Sequence, residues 1–303
     1  MTIIQRSYTG QADRQLMSNL VLAFPDNNFH VVDLPYRLCS PSFEDERNIR
    51  LWENANGQLL AFAVWQIPFA VLDYAIHPHA QVQDIETLLL TWAISRFQEL
   101  ARERGRRLDY YIDVREDQAD RIQLLEQHGF TPDNWGNLHM QRPLTTSIPD
   151  PHLPPGFTIR PLAGESEVEA YVTLHRAAFE STSMTVDWRH RTLQVPEYIP
   201  DIDLVVQAPD GRFAAFCICW LHPHLHTSEG HKEGQVEPMG VHPDFQRLGL
   251  GQAILLENLR RMQARGAKTA HVESYTFSEP AQQLYQSVGF QVTHKVLKYS
   301  RAF

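Results

Sequence analysis

The sequence predicts a mixed α/β fold, a sheet flanked by helices, built twice in one chain. Three observations carry this. VHPDFQRLGLGQAILL, from Val241, has a counterpart in IHPHAQVQDIETLLL, from Ile76; both run apolar-His-Pro-x-x-Gln and pass into a helix-like pattern. LLAFAVW, ending at Trp65, matches AAFCICW, ending at Trp220, and each half closes on a helix ending Gly-Phe, at Gly129-Phe130 and Gly289-Phe290. Order is kept and the copies stay near 160 residues apart, the mark of an internal duplication.

The elements follow in order. IIQRSYTG, near Ile4, reads as a strand followed by a helix, and LLAFAVW as a second strand. Beyond the first His-Pro turn, Leu89, Ala93, Phe97 and Leu100 form the apolar stripe of a long helix ending at Gly105. A further strand and a closing helix complete the first copy, residues 1–144. TTSIPDPHLPPG, Thr145 to Gly156, has four prolines in twelve residues and no hydrophobic period, and reads as a stiff linker. The second copy, residues 157–303, repeats the pattern with FTIRPLAG from Phe157, a helix, and strands DLVVQA from Asp203, RFAAFCICW from Arg212 and EPMGV from Glu237. In GQAILLENLRRMQARGA the stripe is Leu255, Leu259 and Met262; Arg260, Arg261 and Arg265 suit the negative end of the dipole, and Gly266 is a C-cap. TAHVESY, from Thr269, is the next strand.

Length and composition agree with this plan. A chain of 303 residues suits two cores of about 150 each. No apolar run approaches the roughly 20 residues of a membrane span, so no membrane partner is expected. MTIIQRSYTGQ lacks the charged-then-apolar order of a signal peptide. Cys39, Cys217 and Cys219 are too few and scattered for a disulfide framework, which points to a reducing cytoplasm. A formal charge of −9 argues against a nucleic-acid partner, which wants a basic patch. Nothing in the sequence signals an oligomeric state.

A strand whose following turn opens a helix with glycines, Gly249 and Gly251, is suited to phosphate: first-turn amides are unpaired and the dipole adds positive charge. Alone, the pair equally fits a loop needing backbone freedom. Ile254 replaces the third glycine of a dinucleotide fingerprint, and the Gly-Lys-Ser/Thr of a P-loop is absent. Two longer motifs are more specific. Gln246-Arg247-Leu248-Gly249-Leu250-Gly251 fits the Q/R-x-x-G-x-G/A signature of the GNAT acetyltransferase superfamily, and AQQLYQSVGF, from Ala281, resembles its second signature, A-x-x-L-Y-x-x-x-G-F. The resemblance covers Phe157 to Phe303. It implies acetyl-CoA as acyl donor, without a metal, held in a splayed V between two strands. Main-chain groups of Met239, Gly240 and Val241 would meet the pantetheine arm, and the turn Gln246–Gln252 the pyrophosphate. Ser278 stands where the family often has Asn. In the first copy Asp84 and Glu86 take the glycine positions and Leu125 that of Tyr285. A carboxylate about 4 Å from a phosphate charge costs roughly 1 kcal/mol in water and about 4 at a protein-like dielectric. The two tandem GNAT-like domains are therefore unequal, the N-terminal one degenerate.

The resemblance also implies direct attack of an amine on the thioester. Its motif position makes Tyr285 the proton donor to the thiolate; without the motif it reads as a core aromatic beside Leu284 and Val288. Glu237 is the candidate base, with Gln235 on the same face to orient a water; a solvated strand-end carboxylate is the alternative. His222, His224, His226 and His231 match no compact zinc signature and read as a loop over the acceptor site. Phe179, Met184, Trp188, Arg189 and Tyr198 either line an amine pocket or pack over the sheet. The expected activity is N-acetylation of a small-molecule primary amine, the alternatives being a protein or peptide acceptor, or a noncatalytic acyl-CoA-sensing module.

Overall fold

The computed structural model describes residues 2–24, 34–78, 80, 82–105, 109–226 and 232–301. The chain forms two compact units, Met1–Leu138 with His294–Phe303, and His139–Thr293.

The first unit runs β1 (Ile3–Ser7), α1 (Gln11–Ala23), α2 (Leu34–Leu38), β2 (Ile49–Asn54), β3 (Leu59–Gln66), β4 (Val71–Ile76), α3 (Val82–Arg104), β5 (Tyr111–Arg115), α4 (Ala119–Gln127) and the start of β6 (Thr131–Pro143). Strands β1 to β4 form an antiparallel meander. β3 is buried along its whole length, which is why LLAFAVW is apolar without alternation. β5 joins β4 in parallel at Val71↔Tyr111 and Leu72↔Ile112 only, so the two strands part beyond Leu72. Leu89, Ala93, Phe97 and Leu100 of α3 are buried, and Trp65 meets Phe97 and Tyr110 with ring centroids at 5.1 and 3.8 Å.

The second unit contains the end of β6, then β7 (Thr158–Pro161), α5 (Val168–Phe179), α6 (Val186–Gln194), β8 (Asp203–Gln207), β9 (Phe213–His226), β10 (Lys232–Val241), α7 (Leu250–Ala264), β11 (Ala267–Tyr275), α8 (Glu279–Ser287) and the start of β12 (Gln291–Ser300). Its sheet order is β6-β11-β10-β9-β8-β7. Only β10 and β11 are seen to pair in parallel; β7, β8, β9 and β10 pair antiparallel in turn. Leu255, Leu259 and Met262 are fully buried, and Gly266 follows the C-cap of α7 in the left-handed region, φ 89°. Cys39, Cys217 and Cys219 are buried, and none is in a disulfide among the described residues.

The ends of the two copies are exchanged. β12 passes out of the second unit and pairs antiparallel with β5, from Val296↔Arg115 to Ser300↔Tyr111. In return, His139 onward belongs to the second unit, where the Leu144 amide donates to the Lys268 carbonyl at 2.7 Å. The proline-rich segment has no helix or strand, but α7 holds it: Gln263 Nε2 donates to the carbonyls of Leu144 (2.6 Å) and Thr146 (2.9 Å). The segment expected as a loop at the histidines is strand as far as His226; the side chains of residues 222–226, and residues 227–231 with His231, lie outside the described residues.

Candidate active site

The site grows from a parallel pair that stops pairing. β10 and β11 pair from Lys232↔Ala267 to Gln235↔His271, with a register shift between Lys232 and Glu233, and have no partners in each other beyond that point, although β10 continues to Val241 and β11 to Tyr275. A wedge therefore opens between them. Val236 to Met239 also forms an irregularity against β9, where Trp220 Nε1 donates to the Glu237 carbonyl at 2.6 Å and fixes that peptide. Met239, Gly240 and Val241 lie half-buried along the wedge. A Cβ on Gly240 would stand 2.8 Å from Phe216 and 2.9 Å from Ala178, so glycine lets α5 and β9 close against this strand.

Beyond Val241 the chain turns through exposed Gln246, Arg247, Leu248 and Gly249 into α7. Arg247 and Gly249 both adopt left-handed backbone, φ 65° and 77°. A Cβ on Gly249 would meet nothing within 4 Å, so its conformation demands glycine and the space above it is open. The first helical bond is Ala253 N to Gly249 O, 3.0 Å, leaving the Leu250, Gly251 and Gln252 amides without a carbonyl one turn back. The first turn has no acidic residue and no side-chain cap. Gly251 differs: it is buried, and a Cβ would lie 3.3 Å from both Leu284 and Val241. It lets α7, β10 and α8 meet. Gln252 Nε2 adds a bond to Ser287 Oγ, 3.1 Å. This open, donor-rich turn beside a wedge fits a pyrophosphate and its pantetheine arm.

α8 carries Tyr285. Ser278 is its N-cap residue; its side chain makes no cap bond, and its amide donates to the Tyr275 carbonyl at 3.0 Å. Tyr285 is 6% exposed, and its ring meets Phe290 edge-on at 5.9 Å. Its hydroxyl makes no hydrogen bond among the described residues. Burial pushes its pKa far above the usual phenol range, and Cys217, the Glu237 carboxylate and Cys219 raise it further. Tyr171, on α5, is raised chiefly by burial, and the same Glu237 charge adds to the shift. Glu237 is thus electrostatically close to both tyrosines, and Tyr285 stays protonated at neutral pH. Gln235 is 1% exposed and its side-chain oxygen has no partner.

The acceptor-side candidates separate. Met184, Trp188 and Arg189 are buried, and only Phe179 is exposed, 45%. Arg189 and Asp203 form a fully buried ion pair, Tyr198 donates to Asp203 at 2.6 Å, and the guanidinium lies 3.9 Å from the Tyr171 ring centroid. These residues build the wall behind Tyr171. Burial, then the Arg189 and Arg176 charges, push His175 down to about 4.

Sequence reasoning missed two groups. Arg142 Nη1 donates to the Val288 carbonyl and steadies the end of α8; no motif includes it. His139 and His271, 3.1 Å apart, lie 132 residues apart in sequence. In the first unit, Glu86 stands at the Gly251 position, buried, and bonds Arg121 of α4 at 3.0 Å, while Leu125 is buried at the position of Tyr285. Glu86 thus fills the place where glycine admits α8 in the second unit, and its charge is met by Arg121.

The wedge, the open helix start and the buried tyrosine lie on consecutive elements of the second unit, β10, α7, β11 and α8. Residues 169–290 match the Acetyltransferase (GNAT) family, so the second unit carries a GNAT acetyltransferase domain. Among curated proteins, the mycothiol acetyltransferase of Thermobispora bispora is 30% identical over 155 residues, 50% of this chain and 52% of that one. That of Acidothermus cellulolyticus is 31% identical over 170 residues, 51% and 50% of the two chains. The chain spans about half the length of the curated relatives it matches. A GCN5-related N-acetyltransferase from Sphaerobacter thermophilus is similar in fold over 99% of this chain and 95% of its own (TM-score 0.69, 20% identity). A tandem GNAT protein from the clavulanic acid biosynthesis pathway is similar over 99% and 98% (TM-score 0.68, 13% identity). These two show the fold, which is the mixed α/β tandem GNAT arrangement. Among the described residues no helix is long and apolar enough to cross a membrane.

Proposed function

We propose that the second unit transfers an acetyl group from acetyl-CoA to a primary amine of a small molecule, by direct attack. What supports this reading is the parting of β10 and β11 and the amides left without carbonyl partners at the start of α7, together with the Glu237 charge that helps burial and Cys217 raise the Tyr285 phenol. The amides of Leu250, Gly251 and Gln252 hold the pyrophosphate, and the main chain of Met239–Val241 orients the arm along the wedge. When bound, acetyl-CoA supplies an activated acyl thioester. Glu237 accepts the proton that the amine loses on attack, and Tyr285 donates to the departing sulfur. The strong upward shift of Tyr285 keeps that proton available across the working pH range. Glu86, Arg121 and Leu125 support a first unit that holds no acyl-CoA.

The name of the curated relatives, mycothiol acetyltransferase, favours a small-molecule acceptor over a peptide. An acetyl-CoA-dependent thiol-release screen against an amine panel, with a peptide panel alongside, tests the reading. Turnover with one class of small amines is the expected result. Turnover with peptides alone, or with nothing despite tight acetyl-CoA binding, would overturn it.

A further inference from the structure

On the face of the second unit's sheet that carries Gln235, four titratable side chains from three strands form one line. Glu233 Oε1 of β10 lies 3.6 Å from His271 Nε2 of β11. His271 Nδ1 lies 3.1 Å from His139 Nε2 of β6. His139 Nδ1 lies 3.6 Å from Glu273 Oε1 of β11. Both imidazoles are nearly sealed, 7% and 8% exposed, while the carboxylates at the ends reach solvent, 20% for Glu233 and 27% for Glu273. The Thr293 hydroxyl donates to the His139 carbonyl at 3.1 Å and fixes that strand position. The register gives the line a direction. Glu233 lies in the paired stretch of β10 and β11, whereas Glu273 lies two residues past the last pair, Gln235↔His271, in the open wedge. Gln235, the register partner of His271, keeps a buried side-chain oxygen with no hydrogen bond among the described residues.

Proton counting shows what such a line does. Among the described residues its members meet one another at three contacts, and each is satisfied by one hydrogen. Two neutral imidazoles bring two hydrogens, so one contact is empty. One added proton fills all three and gives a monocation between two carboxylates. A second added proton would set two N–H groups against each other across 3.1 Å. The line therefore holds one proton more or none.

Acetyl transfer to an ammonium has one such proton to dispose of. The nitrogen loses two protons in becoming an amide; the departing sulfur takes one, and the other must leave the site. Resting on the acetyl-transfer reading above, we propose that Glu273, His139, His271 and Glu233 form a one-proton relay that carries the acceptor's first ammonium proton from the wedge to solvent. Glu273 takes the proton from the ammonium and passes it to Nδ1 of His139. His139 gives its Nε2 proton to Nδ1 of His271, and His271 gives its Nε2 proton to Glu233 and on to water. A small rotation of each carboxylate closes the 3.6 Å contacts. The neutral amine left behind attacks with Glu237 as base.

The test has two arms on the full chain. Imidazole 15N NMR is expected to show His139 and His271 sharing a single added proton between them. Two independent titrations, each to the full imidazolium, would overturn the relay whatever the activity. In the kinetic arm, Glu273→Gln and His271→Asn are compared with the wild type on its best amine. Positioned proton transfer contributes roughly 10²–10⁴-fold, so interrupting the line should lower kcat at least about 10-fold, leave the KM for acetyl-CoA unchanged, and shift the acid limb of the kcat/KM profile. Should His271→Asn fail to fold, the partly exposed Glu273→Gln decides alone. A Glu273→Gln profile superimposable on the wild type would overturn the proposal. A wild type that acetylates nothing would instead refute the acetyl-transfer reading, with the NMR arm still deciding whether the pair shares one proton.

Discussion

Replacing Tyr285 with Phe isolates one atom. The ring is 6% exposed and packs edge-on against Phe290, contacts that phenylalanine keeps. The hydroxyl makes no hydrogen bond among the described residues, so removing it leaves no protein group unsatisfied. Stability should therefore change by less than about 1 kcal/mol. The chemical step is another matter. Burial and the neighbouring thiols and carboxylate hold the phenol proton tightly in the resting protein, and it becomes useful only when a thiolate develops beside it. A positioned acid contributes roughly 10²–10⁴-fold, about 2.7–5.4 kcal/mol of barrier. On the proposed reading, acetyl-CoA affinity rests on the amides of Leu250, Gly251 and Gln252, which the substitution leaves alone. Single-turnover kinetics separates chemistry from product release, and calorimetry gives the affinity. The expected outcome is a chemical rate constant at least about 100-fold lower at unchanged affinity and near-unchanged stability. An unchanged rate constant would return Tyr285 to a purely packing role and leave the acid unassigned.

Three further outcomes follow from the same geometry. Calorimetry should give one acyl-CoA per chain, lost in Gly249→Glu/Gly251→Glu; two equivalent sites, or one surviving that change, would refute the assignment of the site to α7. Asp203→Ala leaves the fully buried Arg189 charge without its carboxylate and should cost about 3–5 kcal/mol in denaturant unfolding, with part of the loss recovered in Arg189→Met/Asp203→Leu. His175 is held near 4 in the folded chain against an ordinary 6.5, so the unfolded chain binds more protons between those values. Its contribution to stability is complete above about 6.5 and is lost as pH falls toward 4, on the order of 3 kcal/mol. His175→Phe should flatten that part of the stability–pH curve, and an unchanged slope would reassign it to other groups.

What the sequence made legible is what repeats at short range. The stripe Leu255, Leu259, Met262 and the stripe of α3 are local periodicities, and both helices bury those residues. The two signatures marked α7 and α8, and with them the domain's family, because a helix start and the tyrosine of a helix-forming run are written within one motif each. The exchange of β6 and β12 was not legible. Antiparallel pairing of Val296 with Arg115 is decided by which edge is free in the folded sheet, and nothing in either segment names its partner. The histidine line was hidden for the same reason: His139 meets His271 only because β6 enters the second unit's sheet beside β11.

Glu86 stands in the fold differently from Asp84, which is exposed. From the sequence, Asp84 and Glu86 are carboxylates at the two glycine positions, and their repulsion of a phosphate is the expected reason for a silent first copy. In the fold Glu86 is buried and paired with Arg121, so most of its share of that repulsion is neutralised inside the protein. A steric and mechanical effect is then expected of Glu86. At the equivalent place a Cβ on Gly251 would already stand 3.3 Å from Leu284 and Val241, and the missing side chain is what brings α8 onto α7. A glutamate there obliges α4 to answer with an arginine, and the helix pair is then tied by an ion pair instead of close packing. Glu86→Gly alone should therefore not restore acyl-CoA binding to the first unit, because it strands Arg121 in a mostly buried position without its carboxylate. Calorimetry on Glu86→Gly and on Glu86→Gly/Arg121→Ala distinguishes the two accounts. Binding regained in the single variant would favour simple repulsion; a single variant that is less stable and still silent would favour the packing argument.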